Sequence, residues 1–165
     1  YHYDLAAAVL QYIGLEIPQA WDAQGVDFRP GNHGRDYLVT SHAAWSCQRS
    51  VLFGDYLFMR TYHPGLKALP DRALFNWRQD PHQTLDIAGS QEATARLGLA
   101  HLADWMEDQL GRSPENQDPM QAVIREGGPF HTRGRLEEYL AFYRSIGRSD
   151  IADRMNRDHR WQPGS

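Results

Sequence analysis

Residues 49–62 constrain the fold more than any other part of this chain. Two segments rich in Val, Phe, Tyr, Leu and Thr, residues 49–53 and 56–62, flank the pair Gly54-Asp55. Strand-like segments two residues apart read as a β-hairpin, and glycine at the first central position suits a type II′ turn. Residues 36–44 are apolar enough for a strand before the hairpin. Residues 73–77 form a fourth after the loop 64–71. Four strands in chain order with short connections favour one antiparallel sheet. The closing turn Asp80-Pro81-His82-Gln83-Thr84 reads as structural, with Asp80 accepting from nearby backbone N–H groups and Pro81 fixing the bend.

The rest reads as helix and loop. Leu5, Val9, Tyr12 and Ile13 have the spacing of an amphipathic helix over residues 1–13, with Gly14 as its stop. Residues 16–30 are a loop punctuated by Pro18, Gly25 and Pro30. Ser90 is the expected cap of the longest helix. Its apolar positions are Ala95, Leu99, Leu102, Met106 and Leu110, and Gly111 is its expected end. That face should pack on the sheet. Residues 112–117 are a polar linker. Asp118-Pro119 reads as a cap followed by proline at the first helical position. Residues 135–146 form a further helix stopped by Gly147, and Ser149 opens a last one to about residue 157. The expected fold is thus α+β: a four-stranded antiparallel sheet packed against a long helix, preceded by one helix and followed by a helical tail.

Composition narrows the function. A chain of 165 residues, 41% hydrophobic and 12% aromatic, builds a core and forms one domain, or one with an appendage. A net charge of −4 argues against nonspecific nucleic-acid binding, which needs a basic face. No apolar run approaches the roughly 18–20 residues of a membrane span. Cys47 is the only cysteine, so no intrachain disulfide forms; this leaves the compartment open, leaning toward the cytoplasm. Lys67 is the only lysine. His42, His63, His82 and His131 lack metal-site spacing, and HExxH, CxxC, GxSxG, Walker and Rossmann patterns are all absent. Independent nucleophilic catalysis has no support in the chain.

Taken in order, residues 45–88 and the segment before them resemble the C-terminal portion of the sulfatases of the alkaline-phosphatase-like superfamily. The hairpin with its Gly54-Asp55 turn and the later Asp80-Pro81-His82-Gln83 are similar to that family's strand pair and the DP turn that follows. Residues 4–18, DLAAAVLQYIGLEIP, resemble the helix that closes the catalytic α/β domain, with Ala7-Ala8 in place of the usual Pro-Thr. Gly25, Phe28 and Pro30 match the step after it, while Val26-Asp27 departs from it. The resemblance covers residues 4–110. It implies a division into residues 1–34, the end of the catalytic domain; 35–111, a C-terminal subdomain; and 112–165, a helical extension.

The resemblance also implies a sulfuric ester hydrolase with a formylglycine nucleophile and a calcium ion held by carboxylates. The motifs that supply both are absent here. Ser46-Cys47-Gln48-Arg49-Ser50 lacks the proline and arginine of the formylglycine signature. No cofactor is therefore expected in this chain; calcium and formylglycine are expected in an N-terminal catalytic part. The expected partners are that part and a sulfated small molecule or sugar, with neither nucleic acid nor membrane. The chain alone is expected to be inactive, its role being to complete the fold and border the substrate cleft. A phosphonate or phosphodiester hydrolase of the same superfamily, or a free-standing non-catalytic binding domain, is the alternative.

Four residues are the candidates for substrate contact. Trp45 suits stacking on a ring, Arg49 pairing with an anionic oxygen, and His42 donating or accepting a hydrogen bond. His131 lies in the glycine-rich run Glu126-Gly127-Gly128-Pro129-Phe130-His131 and could cover the cleft. The competing reading makes Trp45 core, Arg49 a surface strand residue, His42 locally bonded and the 126–131 run a turn. His33 is a loop residue of lesser interest.

Overall fold

A computed structural model describes residues 1–17 and 35–158, the side chains of 2, 3 and 158 excepted. The expectations for residues 18–34, including the match at Gly25, Phe28 and Pro30 and the role of His33, lie outside the described residues. The chain falls into two compact units, Tyr1–Asp36 and Tyr37–Ser165.

In the first unit, α1 spans His2–Tyr12 and ends at Gly14. Leu15 N bonds Leu10 O and Gly14 N bonds Gln11 O, which closes the helix in the Schellman pattern. Its apolar stripe lies on the surface. Leu5, Val9, Tyr12 and Ile13 are all exposed, while Asp4 and Ala7 are buried. Arg35 donates to the Asp4 carboxylate, which gives the buried charge the partner it requires.

The second unit holds the sheet: β1 (Tyr37–His42), β2 (Cys47–Phe53), β3 (Tyr56–His63) and β4 (Arg72–Asn76), ordered β1-β2-β3-β4 and antiparallel throughout. Phe53 pairs with Tyr56 across the two-residue turn, where Gly54 has φ +50°. Such a φ is open to glycine at little cost. Asp80 accepts from the backbone N–H groups of Thr84 and Leu85 at 2.6 and 2.8 Å, as the turn chemistry requires.

Helix α2 (Glu92–Arg112) lies on the sheet. The core between them is Val39, Val51, Phe53, Phe58, Leu74, Ala95 and Leu102. Two sequence expectations shift. The cap is Gln91, because Ser90 instead bonds back to Ile87 O through both its N–H and its hydroxyl. The helix also runs through Gly111 to Arg112. The buried stripe is rotated as well: Gly98 is buried and Leu99 is not. A Cβ on Gly98 would stand 2.5 Å from Phe58 Cβ, so the absence of a side chain sets how closely helix and sheet approach.

The chain continues through α3 (Pro119–Arg125), a 3-10 turn at Phe130–Thr132, α4 (Leu136–Ser145) and α5 (Ser149–Asp158). The last two share a second small core of Leu140, Ile151, Ala152 and Met155. Leu66, from the β3–β4 loop, is buried in it. The fold is α+β, with one four-stranded antiparallel sheet and five α-helices among the described residues.

Candidate functional site

The β1–β2 loop presents His42 and Trp45 together. Trp45 N donates to His42 Nε2 at 3.1 Å, so the imidazole orients the loop with its unprotonated nitrogen. The Trp45 ring is 59% exposed, against the expectation that would place it in the core. Two groups border it. The His131 ring lies 5.1 Å from it, centroid to centroid, tilted by 55°. Lys67 Nζ stands 5.5 Å from the indole centroid, within cation–π range.

Each neighbour is firmly positioned. Lys67 follows Leu66, whose φ is +60°, a conformation that costs a bulky residue about 1–2 kcal/mol. Burial of Leu66 among α4 and α5 residues offsets that cost. Trp45 O sits so close to Gly65 that a Cβ there would be 1.8 Å away. His131 lies in the 3-10 turn, which Thr132 anchors by donating to Pro129 O at 2.7 Å. Just before it, Gly128 packs on buried His63, where a Cβ would be 2.4 Å from His63 Cε1. Phe130 beside His131 is 86% exposed. The Arg133 guanidinium lies 5.8 Å from the Phe130 ring centre and pairs with Glu126 at 2.8 Å.

Three of the four sequence candidates, His42, Trp45 and His131, therefore meet in one exposed patch. Lys67 joins them and was not anticipated. Lys67 stood out in the sequence as the only lysine, but nothing local linked it to a tryptophan 22 positions earlier. An exposed indole with a cation above it and imidazoles beside it suits a ring bearing negative charge.

Arg49 is placed elsewhere. It lies on the helix-facing side of β2, 5% exposed. Its Nη1 and Nη2 donate to the two Asp118 oxygens at 2.8 and 2.6 Å, and its Nε donates to Ser41 Oγ at 3.2 Å. The guanidinium also lies 5.3 Å from the Trp105 ring centre. Asp118 in turn accepts from Met120 N at 3.0 Å as the cap of α3. One bidentate pair thus ties the start of α3 to the sheet, and Arg49 is neither the surface strand residue of the competing reading nor part of the exposed patch. The Arg49 hydrogen bond holds the Asp118 carboxyl below the usual carboxylate range, against the opposing effect of burial.

Among the described residues no cysteine is exposed at the patch. Cys47 follows it in sequence but is buried, and burial pushes its thiol pKa up, the reverse of what a reactive thiolate needs. Among the described residues no three of His, Cys, Asp and Glu are grouped so as to hold a metal ion. No described helix is long and apolar enough to cross a membrane.

No protein-family model matches the chain, and no curated protein does. Among solved structures the chain is similar to the sulfatase candidate yidJ from Bacteroides fragilis, with a TM-score of 0.50 and 21% sequence identity. The match covers 73% of this chain and 26% of that one. This chain thus spans about a quarter of that protein's length. At such identity the likeness is one of fold alone.

Proposed function

We propose that the chain is the C-terminal part of a sulfatase-type hydrolase, a sulfuric ester hydrolase, in which it completes the fold and borders the substrate cleft. The observation that carries this reading is the patch of Trp45, His42, His131 and Lys67, on a fold similar to part of a sulfatase candidate. The indole stacks on the sugar or aryl ring of a sulfated substrate, and Lys67 adds positive charge toward its sulfate. Calcium and formylglycine belong, in this reading, to an N-terminal catalytic part. None of the described residues is assigned to hold them.

The exposed stripe of α1, Leu5, Val9, Tyr12 and Ile13, supports the same reading, because an apolar helix face of this length is what a further part of the enzyme would cover. The test is steady-state kinetics of the whole polypeptide carrying this sequence, on aryl and sugar sulfates beside a phosphodiester. Sulfate ester hydrolysis with KM raised by Trp45→Ala supports the proposal. Turnover of the phosphodiester alone would favour the phosphonate or phosphodiester branch of the superfamily. Binding of a sulfated ring without turnover would favour a non-catalytic binding domain.

A further inference from the structure

Lys67, placed near the Trp45 ring, also lines a pocket of about 110 Å³ between the end of β3, the β3–β4 loop and α5. Pockets that enclose a whole small molecule measure roughly 300–1,000 Å³. This one has room for a single group of a ligand whose body lies outside. Ile151 and Met155 of α5 line it, and both are buried in the small core that also holds Leu66. The loop and the helix that carry its charged side chains are therefore fixed to each other. Its cations are Lys67 and Arg154. Both are exposed, and among the described residues neither has an ion-pair partner. The acids beside Arg154 on α5 are taken, Asp153 by Arg144 at 3.7 Å and Asp150 by Arg148 at 3.1 Å. Asp71 is the one carboxylate among the described residues that line the pocket, and it pairs with neither cation. Two cations against one carboxylate leave one positive charge unmatched. Thr61 lines the pocket too. Its hydroxyl accepts from Gln48 Nε2 at 3.0 Å and keeps its own proton to donate.

We infer that this pocket grips a second sulfate of the substrate, one that is not hydrolysed. The ring stacks on Trp45, and a sulfate on that ring sits between Lys67 and Arg154 and accepts from both. Lys67 borders the indole and the pocket alike, which joins them into one site. Binding there breaks no existing ion pair, and each contact is a charge-assisted hydrogen bond. The inference rests on the sulfatase-type reading, in which the ester that is cleaved meets a nucleophile of the N-terminal part. A sulfate held by this chain is then a different one, and the substrate class is a ring bearing two sulfate esters.

The test is steady-state kinetics of the whole polypeptide that carries this sequence, on hydroquinone disulfate beside hydroquinone monosulfate. KM for the disulfate should be about tenfold lower, the worth of one added charge-assisted contact. Arg154→Ala should bring the two KM values together. Its melting temperature should match that of the wild type, since Arg154 is exposed and holds no ion pair. Turnover of both esters with equal KM, or a difference that survives in folded Arg154→Ala, would overturn the inference and leave the sulfatase-type reading standing. If neither ester is turned over, that reading falls, and calorimetric titration with para-benzenedisulfonate decides the pocket by itself. Binding that weakens about tenfold in Arg154→Ala supports an anion site there. No binding, or equal binding by wild type and variant, would overturn it.

Discussion

At the scale of single residues, Arg49 shows how far one-dimensional reading reaches. Its burial was legible: Cys47, Arg49, Val51 and Phe53 share one phase of β2, and all four are buried on the face that meets α2. Residue type pointed to a surface anion contact, and the strand period overrides it. Its partner was half legible, since Asp118 reads as a helix cap but its pairing across 69 positions leaves no local trace. Breaking a buried pair strands one charge, so Arg49→Ala and Asp118→Ala should each cost about 3–5 kcal/mol of unfolding free energy, measured in denaturant. A double replacement by apolar residues of similar size should cost less than the two singles summed. The pH dependence follows from the depressed Asp118 pKa. Its contribution is full above the ordinary carboxylate value of about 4 and is lost as pH falls through the lower folded value. Acid unfolding of Asp118→Asn should therefore be flatter than that of the wild type.

At the scale of elements, the strands and the helix order were legible because period, turn glycines and Asp118-Pro119 are local signals. The contact faces were less so. Spacing picks out Leu99 on α2, but close approach to Phe58 selects Gly98 instead. Two effects compete in Gly98→Ala. Helix propensity favours alanine by about 1 kcal/mol, and overpacking against a rigid Cβ costs about 1–3 kcal/mol. The 2.5 Å approach decides for destabilisation, so the melting temperature should fall; a rise would mean that α2 moves off the sheet freely. On α1 the apolar stripe faces outward, so Val9→Glu in the 165-residue chain should change stability by less than about 0.5 kcal/mol. In a larger enzyme that covers this face, the same change should cost several times more.

At the scale of the whole molecule, the candidate site is built by loops far apart in sequence. The β1–β2 loop supplies His42 and Trp45, the β3–β4 loop Lys67, and the turn after α3 His131. The types of His42, Trp45 and His131 marked them as candidates, but only the fold brings them together and adds Lys67. In the proposed enzyme, calcium acts outside this chain, so adding calcium to the 165-residue chain should leave its melting temperature unchanged. A rise would place a cation site here, because a ligand that binds the native state must stabilise it.

The most direct measurement is hydrolysis of 4-nitrophenyl sulfate by the whole polypeptide that carries this sequence, wild type beside Trp45→Ala. Sulfate release by the wild type is expected, and in the variant a KM raised about tenfold, as for loss of one stacked ring, with melting temperature unchanged. No sulfate release, or identical kinetics in a folded variant, would contradict it.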